Sequence, residues 1–243
     1  MKKRTELEKE NYMNEGDSSV DEASEVRNPA ENFIQKYSKP IIIVSIVVIA
    51  LVAFLLYMRY QANENEIKVA TLMTRIVPYF QAGDFDKALN GDPDKTYLGE
   101  KVLGLKHIAD EYQSTSQGKI ASLYVATIYA DKAEYDNAMS YFEKASKSDA
   151  NIIQMGGMAG IASVHEQKGN LKEAAQNYQS AAELAEDDNT KSRYSFYAAL
   201  CFEKAGDKDK AEEIFRTIID ENQLTEFTPL AKAGLIRIGT IIE

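Results

Sequence analysis

The chain has 243 residues, a formal net charge of -10, five prolines, thirteen glycines, one cysteine and no tryptophan. Its 44% apolar content suffices for a buried core, and the acidic balance argues against nucleic acid, because phosphate binding needs clustered Lys and Arg. Cys201 stands alone, which excludes a disulfide within the chain, and the scarcity of Pro and Gly between turns predicts a mostly helical protein.

Residues 1–28 are rich in Glu, Asp, Ser, Asn and Lys with little apolar pattern, and read as a disordered tail. Phe33, Ile34 and Tyr37 then fit either a short interfacial helix or a plain linker before Pro40. Residues 41–58 read IIIVSIVVIALVAFLLYM, with Ser45 the one polar side chain. At about 1.5 Å per residue such a run is roughly 27 Å long, enough for a hydrocarbon core with help from its flanks. Tyr37, Tyr57 and Tyr60 sit where interfacial aromatics belong. A cleaved signal peptide would start nearer the N-terminus and end in a small-x-small site, whereas Met58-Arg59-Tyr60-Gln61 follows here. A buried soluble helix would show one polar side. A single membrane span over 40–60, behind a tail of 1–39, is therefore expected.

Lys2, Lys3, Arg4, Lys9, Arg27, Lys36 and Lys39 precede the span, and Arg59, Lys68 and Arg75 follow it. Close to the membrane the two sides nearly tie. The short tail holds more basic residues in total, so a cytoplasmic N-terminus and an outward C-terminal domain are expected.

From Glu64 onward the pattern is helical and repetitive. Gly83-Asp84-Phe85-Asp86-Lys87-Ala88 is echoed by Ala133-Glu134-Tyr135-Asp136-Asn137-Ala138, by Gly169-Asn170-Leu171-Lys172-Glu173-Ala174 and by Gly206-Asp207-Lys208-Asp209-Lys210-Ala211. A small residue at each turn leads five residues later to an alanine inside an amphipathic run, the signature of stacked helical hairpins. Gly169 and Gly206 suit a left-handed helix end, and Asp84, Asn170 and Asp207 suit N-caps. Ala133 in place of Gly should cost about 1 kcal/mol if that position has positive φ.

The pattern resembles the tetratricopeptide repeat. Ala126-Tyr129-Ala133-Ala138-Phe142-Ala145 matches at every family position. Ala162-His165-Gly169-Ala174-Tyr178-Ala181 has His for the aromatic, and Ala199-Phe202-Gly206-Ala211-Phe215-Ile218 has Ile for the last alanine. The first unit keeps Tyr79, Gly83 and Ala88 but has Ile76 and Asp92 at other family positions, and the usual proline after each repeat is missing. The turn alanines 88, 138, 174 and 211 give steps of 50, 36 and 37, against roughly 34 for the family. The long first step predicts an insertion over about 90–112, with a break at Asn90–Asp94 and an extra helix over Tyr97–Tyr112. Thr228–Ile242 is expected to be a capping helix. The fold class is thus all-α: one N-terminal transmembrane helix, then a tetratricopeptide-repeat α-solenoid over 61–243.

Catalytic or metal-binding chemistry is not expected from the motifs present. His165 stands where the repeat wants a ring, and His107 with Glu111 amounts to a helical ion pair. Asn90, Asp92 and Asp94 lack the twelve-residue spacing and closing Glu of a calcium loop. Gly156, Gly157 and Gly160 form no phosphate loop and suit close approach of a helix or a bound peptide. No catalytic residue, cofactor, metal or small-molecule substrate is expected. If the first helix of each unit lines a groove, helical phase places Tyr124, Thr127, Asp131, Ser163, Gln167, Arg193, Phe196, Tyr197, Leu200 and Lys204 in it, with Phe196 and Leu200 alternatively packing on the next helix.

The whole-chain plan, a charged tail, one N-terminal span and a repeat domain, resembles the YfgM-type proteins of the bacterial inner membrane, especially Bacteroidetes-like relatives. That resemblance implies a periplasm-facing scaffold associated with the Sec translocon and a PpiD-type chaperone. An envelope assembly factor organising cell-wall or secretion machinery, and a cytosol-facing adaptor, are the alternative readings of the same repeats.

Overall fold

The computed structural model describes residues 29–221 and 224–240, with side chains described from Tyr37 onward except at 41. The tail expected at 1–28 lies outside them. The described chain is almost wholly helical, and its contacts divide it into two units, one ending at Tyr60 and one starting at Gln61.

Helix α1, Pro29–Gln81, carries the apolar run. Its apolar stretch has a mean hydropathy of 3.2 and no buried residue. Ile43, Ile49, Phe54 and Leu56 are each about 60% exposed, so nothing among the described residues of this unit packs on them. Among the described residues this is one helix long and apolar enough to cross a membrane.

In the second unit the end of α1 begins a series of helical hairpins. After it come α2 (Phe85–Asn90), strands β1 (Gly91–Tyr97) and β2 (Glu100–Leu103), and α3 (Leu105–Glu111). Then follow α4 (Ser116–Asp131), α5 (Tyr135–Ala145), α6 (Asn151–Gln167), α7 (Leu171–Glu183), α8 (Asp188–Lys204), α9 (Lys208–Glu221) and α10 (Phe227–Ile238). Each helix packs mainly on its neighbours in sequence. Ala126, Ala138, Ala162, Ala174, Ala199 and Ala211 have no exposed surface: the repeat's small residues lie where paired helices cross.

The echoed turns share one geometry. The residue at the turn is left-handed in Gly83 (φ 76°), Ala133 (φ 57°), Gly169 (φ 79°) and Gly206 (φ 81°). At each, the turn N–H donates to the carbonyl three residues back and the next N–H to the carbonyl five before it, as Asp84 to Tyr79, Glu134 to Tyr129, Asn170 to His165 and Asp207 to Phe202. This double closure satisfies the orphaned carbonyls of the helix end. Side-chain caps are less uniform. Asp84 and Asp207 accept from the N–H groups of Lys87 and Lys210, whereas the Asn170 amide lies 3.4 Å from the His165 ring instead of capping α7. A fifth closure, absent from the sequence reading, ends α10: Gly239 has φ 93° and the Thr240 N–H donates to Leu235. The capping helix therefore stops at Ile238, short of the expected 242, because the left-handed glycine breaks it.

Ala133 pays the strain that glycine avoids. Ala133→Gly is expected to raise stability by about 0.5 kcal/mol, the relief of strain exceeding the added freedom of the unfolded chain. Urea unfolding midpoints measure it, and a lower midpoint would count against the strain at Ala133.

The insertion differs from the expected extra helix. It is a β-hairpin over Gly91–Leu103, and helix resumes only at Leu105. Its ends meet: a Cβ on Gly104 would lie 2.1 Å from the Leu89 carbonyl oxygen, and one on Gly91 2.2 Å from that of Val102. Leaving out residues 91–104 reduces the first step from 50 to 36, the length of the next. Ala109 then falls seven positions after Ala88, as Ala145 follows Ala138, and both are fully buried. The hairpin is thus inserted into the second helix of the first repeat, and α2 and α3 are its two halves. Sequence periodicity missed this because Lys95, Thr96, Lys101 and Val102 carry no clear alternation, and three residues bulge between the Asp92–Val102 and Thr96–Lys101 pairs.

Two clusters form the core. One joins the end of α1 to α6 through Ile76, Leu105, Ile108, Val125 and Ile128, and the other joins α6 to α10 through Phe196, Phe202, Phe215 and Leu235.

Candidate interaction surface

The first helices of successive repeats, α4, α6 and α8, carry the residues placed by helical phase. Thr127, Asp131, Ser163 and Gln167 are exposed, with the Thr127 hydroxyl donating to its own helix at the Leu123 carbonyl. Tyr124 is half-buried with its ring centroid 4.6 Å from Phe80, so it bridges to the preceding repeat. In α8, Arg193 and Leu200 are half-buried, and Lys204 is exposed with its ammonium 2.7 Å from Glu166.

Phe196 and Tyr197 part company. Phe196 is buried, with its ring 5.8 Å from both Phe215 and Phe227, so it supports the surface from beneath. Tyr197 remains 38% exposed, with its ring against Tyr178 at 5.6 Å and Phe227 at 6.4 Å. An aromatic face held by other rings and left open to solvent loses little conformational entropy on contact.

Ion pairs register one repeat on the next. Lys132 meets Asp86 at 3.0 Å and Lys168 meets Asp136 at 2.5 Å, each joining the end of a first helix to the start of the preceding second helix. Lys168 holds the Asp136 carboxyl below the usual carboxylate range. Lys204 to Glu166 and Arg237 to Glu203 extend the series along the first helices. These pairs are largely solvated, so they set register more than stability.

The three glycines of α6 are filled by the chain itself. A Cβ on Gly157 would lie 2.4 Å from the Ser146 backbone nitrogen, one on Gly160 2.2 Å from the Phe142 ring, and one on Gly156 3.3 Å from Leu123. They serve helix packing. Asp92 is engaged too, accepting from the Tyr79 hydroxyl at 2.7 Å and the Lys87 ammonium at 3.0 Å, which hold its carboxyl below the usual range. His107 is exposed with its ring edge toward Tyr112, and His165 is half-buried beside Asn170. Burial pushes the Cys201 thiol up to about 11 and so keeps it protonated at neutral pH.

A cleft of about 450 Å³ lies elsewhere, between α7, α8 and α9, lined among others by Gln176, Gln179, Lys191, Ser195, Lys210 and Thr217. Helical phase could not have found it, since these residues belong to the polar faces of amphipathic helices and become a cleft only when three helices are placed.

The tetratricopeptide-repeat family profile matches residues 125–152 and 158–188, which include the C-terminal part of α4 and all of α5, then most of α6 with all of α7. Comparison with curated proteins and with solved structures gives no match. The chain thus contains tetratricopeptide repeats. The turns at Gly83 and Gly206 share their geometry although they lie outside the matched stretches.

Proposed function

We propose that the chain is a membrane-tethered scaffold that holds partner proteins on the first helices of its repeats. Such repeats imply protein partners and are typically non-catalytic. The observation that carries the reading is Tyr197, exposed on a bed of rings beside Arg193, with the polar surface of Ser163 and Gln167 on the preceding first helix. Tethering through the apolar part of α1 raises the local concentration of partners, so individually weak contacts become useful occupancy. The finer reading is an inner-membrane protein with a cytoplasmic N-terminus and a periplasmic repeat domain, working beside the Sec translocon and a PpiD-type chaperone. It is supported by the whole-chain plan and by the basic residues of the tail.

Tyr197→Ala with Arg193→Glu is expected to weaken partner capture from solubilised membranes by roughly tenfold or more, since aromatic and Arg anchors carry most interface energy. Helical content should stay unchanged by circular dichroism. Capture at the wild-type level would remove this face from consideration. A C-terminal alkaline phosphatase fusion that is inactive, beside an active cytosolic reporter, would overturn the periplasmic orientation.

A further inference from the structure

The hairpin inserted in the first repeat ends in Tyr97-Leu98-Gly99-Glu100, with Tyr97 paired to Glu100 across the turn. Leu98 has φ 53° and Gly99 φ 84°, a two-residue turn with both central residues left-handed. Asn or Asp followed by Gly is the usual choice there, because their short polar side chains hydrogen-bond the local backbone and tolerate positive φ, whereas a bulky apolar side chain is strained. Leu98 is nevertheless 99% exposed, so it gains no packing among the described residues to offset that strain. Tyr97, beside it, is 39% exposed.

The base of this tip is cationic although the chain as a whole carries -10. Glu100 is bonded to Arg75 at 2.9 Å and Asp92 to Lys87 at 3.0 Å. Lys95 lies 5.3 Å from the Tyr97 ring and 5.7 Å from the Tyr79 ring, Lys68 lies 5.5 Å from the Tyr112 ring, and Lys101 is exposed on β2. Against these three lysines the hairpin offers one further carboxylate, Asp94. Leu at the apex, Tyr behind it and Lys around the base follow the order of a bilayer surface: hydrocarbon edge, interface, phosphates. Lys68 and Arg75 follow Tyr60 by eight and fifteen residues in the sequence.

We propose that the hairpin is a second membrane contact, in which Leu98 and Tyr97 enter the headgroup region of an anionic bilayer and Lys68, Lys95 and Lys101 meet its phosphates. This rests on the reading of α1 as a membrane anchor. It makes the first repeat a lipid-reading element and leaves the later repeats for proteins.

The test uses the full chain with Cys201→Ala, reconstituted in phosphatidylcholine vesicles with or without phosphatidylglycerol. An environment-sensitive fluorophore is placed at Thr96→Cys in one protein and at Ala50→Cys in another, with nitroxide-labelled lipids as shallow or deep quenchers. Deep quenching at position 50 in both lipids is expected, with shallow quenching at position 96 only when phosphatidylglycerol is present. The signal at 96 should be lost in Leu98→Asp, lost in the Lys95→Glu and Lys101→Glu double variant, and weakened by high salt. Deep quenching at 50 with none at 96 in anionic vesicles overturns the hairpin proposal and leaves the anchor standing. A signal at 96 unchanged by Leu98→Asp also overturns it, as does photo-crosslinking from position 98 in native membranes that traps protein and no lipid. Absence of deep quenching at 50 overturns the anchor and this proposal together.

Discussion

Gly157→Ala is expected to destabilise the repeat domain by about 2–3 kcal/mol, although it adds one methyl group to a helix interior. Alanine favours helix over glycine by about 1 kcal/mol, so an exposed site would gain. At Gly157 the new Cβ would lie 2.4 Å from the Ser146 nitrogen, 2.7 Å from its Cα and 2.9 Å from the Ala145 carbonyl carbon. All three are backbone atoms, which cannot rotate away, so α6 must move off the end of α5. Gly169→Ala makes the informative comparison. Its φ of 79° is left-handed, but nothing lies within 4 Å of the added Cβ, so strain alone should cost about 1 kcal/mol. Urea unfolding of both variants gives the ranking; a larger loss at Gly169 would show that the α5–α6 contact is looser than described.

Phe215→Ala is expected to cost about 3–5 kcal/mol, the range for emptying a buried aromatic site. Phe215 is fully buried, its ring lies 5.8 Å from Phe196, and α10 sits directly on it, since a Cβ on Gly234 would meet its Cζ at 2.5 Å. The damage should be local. Stacked repeats are stabilised by nearest neighbours, and the cluster centred on Ile76, Ile108 and Val125 is separate from the one holding Phe215. Hydrogen exchange should therefore accelerate in α9 and α10 while α4 stays protected. Cys201 is a second reporter, because its buried thiol, pushed up to about 11, should resist alkylation at neutral pH in the wild type and become reactive in the variant. Uniform acceleration across all helices would mean that the repeats unfold as one unit.

The repeats were legible because their spacing reports a physical need. A small residue is required where two helices cross, and a left-handed residue where they turn, so Ala126, Ala133 and Ala138 could be aligned with Ala162, Gly169 and Ala174 before any contact was known. The same reasoning left open whether Ala133 takes positive φ or closes with a different turn; its φ is 57°. The hairpin was not legible, because a short bulged strand pair interrupting a helix leaves neither a period of two nor one of 3.6. Gly239 was overlooked because Lys232 stands seven residues before it, where the turns at Ala133, Gly169 and Gly206 have an alanine. On the surface, phase alone could not separate Phe196 from Tyr197. Adjacent on one helix, they differ because α9 brings Phe215 against Phe196, while Phe227 of α10 touches both rings, a long-range fact that no local pattern carries.

The central claim is that the first helices of the repeats, and not the outer cleft, hold protein partners. Photo-crosslinkers placed one at a time at Gln167, Lys204 and Gln179 in the full chain, activated in intact membranes, test it most directly. All three side chains are exposed, and Gln179 lines the cleft between α7, α8 and α9. Discrete protein adducts at Gln167 and Lys204, reduced by Tyr197→Ala and absent at Gln179, are the predicted result. Adducts from Gln179 alone, or adducts from Gln167 and Lys204 that persist undiminished in Tyr197→Ala, would contradict it.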